Sequence, residues 1–276
     1  MTGVKIVGLG EGGAKAISKM IAAGVGKNKA VEFIAIGNDE NIMLTSAARK
    51  NIFLNRDLGT IYRNTSDALS GAKLIIIVAG LAGNAARAAL PTVLACAKGS
   101  DAVTVAFVCK PSILEDITRK LNADYTLNNL RGVDTLFVMP AEKFFVFRIK
   151  QPQISLPELF DAADDVFCQG VKIFLELKDT DLKFGNAAFG YAGGNTPLDA
   201  MKAALNFPTL EENVLKSARK IFIRVESAEP LTKNSLDAAN NFIKAQILPD
   251  AHFFFKEEVN PLRGENFFAS IICSRK

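Results

Sequence analysis

The stretch Val4-Lys5-Ile6-Val7-Gly8-Leu9-Gly10-Glu11-Gly12-Gly13 decides the fold of this chain. An apolar run ends in closely spaced glycines, and residues 14–23 then have apolar side chains at helical spacing. This pattern is typical of a buried strand that turns sharply into a helix. The glycines fit G-x-G-x-x-G, which lets a backbone approach a phosphate, and a helix N-terminus adds free amides. The alternative is that the glycines only make a tight turn.

The same alternation continues through the first half of the chain. Apolar runs predict strands at residues 31–36, 74–78, 103–109 and 135–139, and helical spacing predicts helices at 85–98 and 112–121. Near-continuously apolar strands separated by helices are typical of a parallel sheet covered on both faces. We therefore predict an α/β fold with a doubly wound, mostly parallel sheet.

The second half of the chain shows a different order of predicted helices and strands. Ser155 and Glu158 form a capping box that predicts a long helix to about Lys178. Residues 185–194 are glycine-rich and are predicted to be irregular, followed by strands at 220–225, 252–256 and 267–273 and helices at 198–205 and 235–245. The predicted organisation is a nucleotide-binding-type domain at 1–153, a central linking helix at 154–178 and a smaller α+β domain at 179–276.

Composition excludes several classes of function. Hydrophobic residues make up 49% and charged residues 22%, a globular balance, and the net charge of +4 is not gathered in a basic stripe, so we expect no nucleic-acid partner. No apolar run approaches the ~20 residues that span a bilayer, so we expect no membrane insertion. The four cysteines lack metal-type spacing; we expect reduced core thiols in a cytoplasmic protein and no metal site.

A second glycine-bearing turn, Ala79-Gly80-Leu81-Ala82-Gly83-Asn84, also joins a strand to a helix. Turns at the carboxyl ends of neighbouring parallel strands converge on the crevice where open α/β sheets bind ligands. The two turns together favour a ligand cleft.

These pieces, in this order, resemble the FtsZ/tubulin family of self-assembling GTPases, and most closely its bacterial FtsZ branch. The similar segments extend from Val4 to about Cys273. They include the first turn and, after it, 33–39, the Lys-Pro turn at 108–111, 138–143, and the start of the central helix at 160–166. The resemblance implies the FtsZ fold and a vestigial nucleotide pocket that includes Gly10, Glu11, Gly12 and Gly13.

The phosphate-binding segments depart from the family pattern. Where the family has Gly-Gly-Gly-Thr-Gly-Thr-Gly, this chain has Ala82-Gly83-Asn84-Ala85-Ala86-Arg87-Ala88, without hydroxyls. The added Cβ atoms are expected to crowd a backbone that must approach phosphate. Glu11 replaces a glycine and repels phosphate, and the family's glycine-rich third loop is absent from 54–64. We predict at most weak binding of GTP or GDP, and expect no tightly bound cofactor.

The resemblance also assigns the hydrolytic segment and the base pocket. The family's Asn-x-Asp-x-x-Asp segment, which polarises the attacking water, corresponds to Asp179, Asp181 and Phe184 here, and a phenylalanine cannot orient water. The alternative for the two aspartates is a solvated helix-end loop. Phe160 matches the aromatic residue that packs on guanine, or is simply core, and Asp164 stands where the family has an asparagine.

Two substitutions suggest a specific contact. Glu11 begins one phosphate-side helix and Arg87 begins the other. Our hypothesis is that their ion pair fills the space of the missing phosphate; the alternative is two unrelated solvated charges.

Three interpretations of function remain. The first is an FtsZ-like cytoskeletal protein of cell division that forms its own head-to-tail filament or binds a true FtsZ, with little or no GTP hydrolysis. The second is an active GTPase with a remodelled site. The third is a nicotinamide-dependent oxidoreductase, based on G-x-G-x-x-G and Asp39, although no proton-transfer residue accompanies that pattern.

Overall fold

The computed structural model describes residues 3–27, 30–112, 115–144, 156–177, 182–261, 264 and 266–275. The chain divides into two compact units, Met1–Lys183 and Phe184–Lys276. The helix at Leu156–Phe174 belongs to the first unit. Within the part of the chain that is described, no helix is both long and apolar enough to cross a membrane.

The first unit contains a sheet of parallel strands. Its strands are β1 (Val4–Leu9), β2 (Val31–Gly37), β3 (Lys50–Phe53), β4 (Leu74–Gly80), β5 (Val103–Lys110) and β6 (Thr135–Pro140). Their order in space is β3-β2-β1-β4-β5-β6, and each neighbouring pair is parallel. The chain runs outward from β1 to β3 and then returns to β4. The order therefore reverses between β1 and β4, which places a crevice at their carboxyl ends.

Helices cover both faces of this sheet. They are α1 (Gly10–Ala22), α2 (Glu40–Thr45), α3 (Leu58–Leu69), α4 (Asn84–Lys98), α5 (Ile117–Asn129) and α6 (Leu156–Phe174), with 3₁₀ turns at Leu130–Gly132 and Ala141–Phe144. On one face α4 packs against both α3 and α5, and on the other α1 packs against α6. The predicted doubly wound α/β fold is confirmed.

Three elements were not predicted from the sequence, and one was misplaced. The short α2 and β3 and the 12-residue α3 lie between residues 40 and 69, where polar residues interrupt the apolar pattern. The predicted helix at 112–121 was wrong in its bounds because Asp116 caps α5: its carboxylate accepts a hydrogen bond from the Arg119 amide at 3.0 Å. Ser155 of the predicted capping box lies outside the described residues.

Aromatic rings fill the space between α6 and the sheet. Phe107 of β5 stacks on Phe137 of β6 with ring centroids 4.3 Å apart, and Phe174 of α6 meets both rings edge-on. A Cβ on Gly170 would lie 2.7 Å from the Phe107 ring. The glycine in α6 therefore gives the stacked pair room to pack.

The second unit is a smaller α+β structure. Its strands are β7 (Gly185–Gly194), β8 (Lys220–Ser227), β9 (His252–Val259) and β10 (Phe267–Ser274), in the order β7-β10-β8-β9, with α7 (Pro197–Leu205), α8 (Lys233–Lys244) and a 3₁₀ turn at Val214–Lys216. β10 is antiparallel to both neighbours, and β8 and β9 are parallel.

The irregular segment predicted at 185–194 was wrong, because these residues form β7. Its glycines serve packing against α7. A Cβ on Gly190 would lie 2.4 Å from the Ala204 carbonyl oxygen, and one on Gly194 would lie 2.3 Å from the Ala200 amide nitrogen. These glycines therefore allow a helix to pack closely on the strand, and they do not interrupt the strand.

Candidate functional site

A cleft of about 640 Å³ lies at the carboxyl ends of β1, β2, β4 and β5. This volume suits a small-molecule ligand. The cleft lies at the β1–β4 reversal, where an open α/β sheet binds its ligands. Its walls are formed by residues 9–12, 37–39, 78–86 and 109–111, together with Lys15, Ile42, Met43, Glu115, Arg119, Ala141, Asp164 and Phe167.

Two helices begin at this cleft without a side-chain cap. Leu9 is the N-cap of α1 and Gly83 is the N-cap of α4, and neither offers a side-chain hydrogen bond to the first turn. In the same unit α2, α3 and α5 are capped by Asp39, Asp57 and Asp116. The first amides of α1 and α4 are thus left without a side-chain acceptor, and the helix dipoles add partial positive charge. The cleft can therefore attract an anion.

The glycines of the first turn divide into two roles. Gly10 and Gly12 line the cleft, and Gly10 has a positive φ of 68°, which a residue with a Cβ adopts rarely. Gly13 is buried instead: its Cβ would lie 2.6 Å from the Val78 carbonyl oxygen and 2.7 Å from the Gly8 carbonyl carbon. Gly13 lets α1 pack onto the sheet. It therefore positions the start of α1 at the cleft without lining the cleft itself.

The second turn presents methyl groups to the cleft. Gly83, Asn84 and Ala85 line it, as predicted, beside Ala82 and Ala86. A Cβ placed on Gly10 would lie 3.3 Å from the Ala85 Cβ, so the two turns approach each other closely. The Asn84 side-chain oxygen accepts a hydrogen bond from the Asn122 amide of α5 at 3.3 Å. This turn thus offers backbone and methyl groups, and no hydroxyl, to a ligand.

The predicted ion pair between Glu11 and Arg87 is not formed. Glu11 pairs with Lys15, one turn along the same helix, at 2.7 Å, and both side chains are more than half exposed. Arg87 is exposed, does not line the cleft and makes no ion pair within the part of the chain that is described. The i,i+4 contact is made within α1 and needs no reach across the cleft.

The other end of the cleft is rich in charged side chains. Arg119 Nε donates to Glu115 at 2.5 Å, and Lys110 Nζ lies 2.8 Å from an Asp124 oxygen. Lys110 at the end of β5 and Arg119 of α5 are therefore paired with carboxylates of α5 or of the turn before it. Sequence reasoning missed Glu115 and Arg119 as cleft residues; their signal was a charged i,i+4 pair just after the Lys-Pro turn.

Carboxylates surround the thiol at this end. Burial, followed by the charges of Asp164, Glu115 and Glu142, raises the pKa of Cys109 to about 12. Asp164 of α6 lines the cleft as predicted. The side chain of Phe160 lies outside the described part of α6, whereas Phe167 lines the cleft and is buried. The end of the cleft near α6 is thus acidic and suits a group with N–H donors.

Comparison with known proteins finds similarity to FtsZ in both sequence and fold. No family model matches the chain. It is 27% identical over 293 aligned positions to the cell division protein FtsZ of Caulobacter vibrioides, and the alignment covers 94% of this chain and 57% of that protein. An FtsZ structure from M. jannaschii matches with a TM-score of 0.86 over 99% of this chain and 91% of that one, at 22% identity. This chain is a homologue of the FtsZ/tubulin family.

A more distant member has the same fold. CetZ2 of Haloferax volcanii, described as a GTPγS-bound protofilament, matches with a TM-score of 0.77 at 14% identity, over 99% of this chain and 93% of that one. The chain spans little more than half the length of the curated FtsZ relatives it matches. The FtsZ/tubulin resemblance seen in the sequence is confirmed, and none of these relatives supports the oxidoreductase interpretation.

The segment that corresponds to the family's hydrolytic loop is only partly described. Asp179 and Asp181 lie outside the described residues. Phe184 is 5% exposed in the second unit, and the Lys220 ammonium lies 4.7 Å from its ring centroid. This side chain is a core residue of its own unit, with no group that can orient a water molecule.

Proposed function

We propose that this chain is an FtsZ-like protein that works by association, forming a head-to-tail filament of its own or joining an FtsZ polymer, with little or no GTP hydrolysis. The observation that carries the proposal is the second turn of the cleft. Its residues 82–88 place alanine methyl groups where the family signature has glycines and threonines, so the phosphates lose both close backbone approach and hydroxyl donors.

Two further features support low hydrolytic activity. Glu11 adds a carboxylate to the first turn of α1, where a triphosphate would lie. Phe184 stands at the place of the family's last catalytic acid and is buried beside Lys220. A site that holds the phosphates weakly and lacks a group to polarise water is deficient in both main contributions to phosphoryl transfer.

The family supports association. The relative from Haloferax volcanii is described as a protofilament, and the FtsZ relative from Caulobacter vibrioides is named for cell division. A head-to-tail contact between identical subunits repeats into an open filament. We extend this property to the present chain as part of the proposal.

The second candidate, an active GTPase, is favoured by one observation. The amides at the starts of α1 and α4 are uncapped and face the cleft, an arrangement that binds phosphate in other α/β proteins. We therefore propose residual, weak binding of GTP or GDP. Because both candidate functions include nucleotide binding, the rate of GTP hydrolysis is what distinguishes them.

Phosphate release and thermal shift, measured together, test the proposal. A nucleotide at ~100 times its dissociation constant adds ~2.7 kcal/mol to the free energy of unfolding, which a thermal shift detects readily. We expect a small shift at millimolar GTP or GDP, with or without Mg²⁺, and no phosphate release above a protein-free blank. Arg87→Ala, an exposed change outside the cleft, serves as the control. Phosphate release that rises with protein concentration and persists in Arg87→Ala would establish the active GTPase instead.

A further inference from the structure

Helix α5 carries large apolar side chains on its solvent face. Ile117, Leu121 and Tyr125 follow one another at a spacing of four residues and are 67%, 62% and 58% exposed. Residues at this spacing lie on one side of a helix. The opposite side contains the buried Ala123 and Thr126, so the exposed apolar stripe is not the side by which α5 packs on the core. Three aligned, exposed apolar side chains on a single helix are typical of an interaction surface.

Charged residues flank this stripe on one side only. Lys120 precedes Leu121, and Asp124 follows it by three residues, both on the same flank at 100° per residue. The other flank holds Thr118 and Asn122, which carry no charge. Asp124 is 59% exposed although it contacts Lys110, so its second oxygen is open to a further partner.

The apolar and charged residues on this face of α5 are complementary to the same face of a second copy. If two copies of α5 cross antiparallel with Leu121 at the centre, Ile117 of each copy meets Tyr125 of the other. Lys120 of one copy then lies about 3 Å along the helix axis from Asp124 of the other, because each residue rises about 1.5 Å. The same ion pair forms twice, and Asp124 bridges Lys110 of its own chain and Lys120 of the second copy.

We propose that the exposed face of α5 is a two-fold contact between two copies of this chain. The contact is isologous, since the same patch meets itself. It differs in kind from a head-to-tail filament contact and joins two subunits, or two filaments, side by side. A single helix pair buries a small area, so the dimer is weak, with a dissociation constant on the order of tens of micromolar.

Sedimentation velocity over a range of protein concentrations, without nucleotide and with EDTA, tests the contact apart from filament formation. We expect the wild-type chain to form a concentration-dependent dimer. Leu121→Glu places two carboxylates face to face at the centre and should raise the dissociation constant about 100-fold. Leu58→Glu on α3, at a residue 81% exposed, is the matched control and should leave the dimer unchanged.

A charge exchange tests the orientation. Lys120→Asp and Asp124→Lys each place like charges together and should weaken the dimer about 10-fold. Mixing the two variants in equal amounts restores both ion pairs, so the mixture should dimerise as the wild type does. Circular dichroism melts establish that each variant is folded. If Leu121→Glu leaves dimerisation unchanged, or if the mixture stays monomeric, the proposal is overturned.

A cross-linking variant provides a readout that does not depend on the charged variants. Leu121→Cys should form a disulfide-linked dimer on mild oxidation, whereas Leu58→Cys should not. The native background is low because Cys96, Cys168 and Cys273 are buried and burial raises the pKa of Cys109. Equal cross-linking of the two variants, or a wild-type chain that is monomeric at every concentration, contradicts the proposed contact.

Discussion

The two turns that face each other across the cleft both connect a strand to a helix, but they differ in the residues that form them. In the first turn, Gly13 allows α1 to lie against β1 and β4, and Gly10 adopts a left-handed conformation. In the second, alanines replace glycines around Gly83, and their methyl groups form the wall. Both turns still end in an uncapped helix.

The difference shows which positions require glycine for packing within the fold and which positions face a ligand. A glycine pressed against backbone atoms, such as Gly13, is fixed by packing whatever the cleft binds. A residue at the open surface of the cleft, such as Ala85, is not fixed by packing in this way and faces the space that a ligand would occupy. Under the proposed function, the packing glycines of the fold are kept in the first turn while the ligand-facing residues of the second turn have changed.

Gly13→Ala should have the largest effect on stability. Its Cβ meets the Val78 carbonyl oxygen and the Gly8 backbone at under 3 Å, so α1 must shift away from the sheet. We expect a loss of about 3 kcal/mol in the free energy of unfolding, measured by urea denaturation. Gly12→Ala is the control in the same turn: its Cβ would meet only the Gly80 amide nitrogen, at 3.9 Å, and helix propensity gains about 0.5 kcal/mol. Equal losses in the two variants would show that Gly13 is not packed as described.

Ala85→Gly should sharpen the contrast by removing the methyl group of the second turn that lies opposite Gly10. Helix propensity predicts a loss of about 1 kcal/mol in stability, while the cleft opens opposite Gly10 and the thermal shift with GTP increases. Ala88→Gly, at an exposed position of the same helix outside the cleft, should lose similar stability with no change in nucleotide response. A larger GTP shift in both variants would place the effect outside the cleft.

Gly83→Asp should have a smaller effect on stability and a clear effect on binding. An aspartate at the N-cap of α4 accepts from the free amides and stabilises the helix by a few tenths of a kcal/mol. The same carboxylate competes with phosphate, so any thermal shift with GTP or GDP should disappear. Gly99→Asp adds the same charge at the other end of α4 and should leave the nucleotide response unaltered. If the shift survives in Gly83→Asp, the α4 amides do not hold the anion.

The smallest expected effect concerns the thiol of the cleft. Burial and nearby carboxylates raise the pKa of Cys109 from 9.0 to about 12, so the native thiol stays neutral at pH 8. Because the unfolded thiol ionises first, its contribution to stability is complete below pH 9 and is lost as the pH rises toward 12. Ellman's reagent at pH 8 should label no thiol quickly in the native protein and four in urea, against three for Cys109→Ala. Rapid labelling of one native thiol that vanishes in Cys109→Ala would contradict this account.

Much of the fold could be predicted from the sequence because its signals are local. The apolar runs of β1, β4 and β5 and the glycines of the first turn specify a parallel sheet and its crevice. β7 could not be predicted in this way, since the reason for Gly190 and Gly194 is the close packing of the following helix, α7, which three-dimensional contacts show and the glycine pattern does not. The α2–β3–α3 region was missed because α2 and β3 are short and α3 is partly polar.

The cleft was predictable only in part. Gly10, Glu11, Gly12, Gly83, Asn84 and Ala85 line it, because they follow strands or begin helices, and Asp164, which the family resemblance pointed to, lines it from the middle of α6. The partner of Glu11 could not be predicted from the order of motifs: two charges can lie near one cleft while a closer lysine on the same helix forms the pair. Side-chain pairing depends on three-dimensional distance, which motif order does not contain.

The most direct test of the central claim compares assembly in GTP, in GTPγS, in GDP and without nucleotide, by sedimentation and electron microscopy of the same samples. Our account predicts polymer whose amount and lifetime are the same in GTP and in its slowly hydrolysed analogue GTPγS, because hydrolysis does not drive its turnover. Polymer that forms only in GTP and disassembles as the GTP is consumed would contradict it.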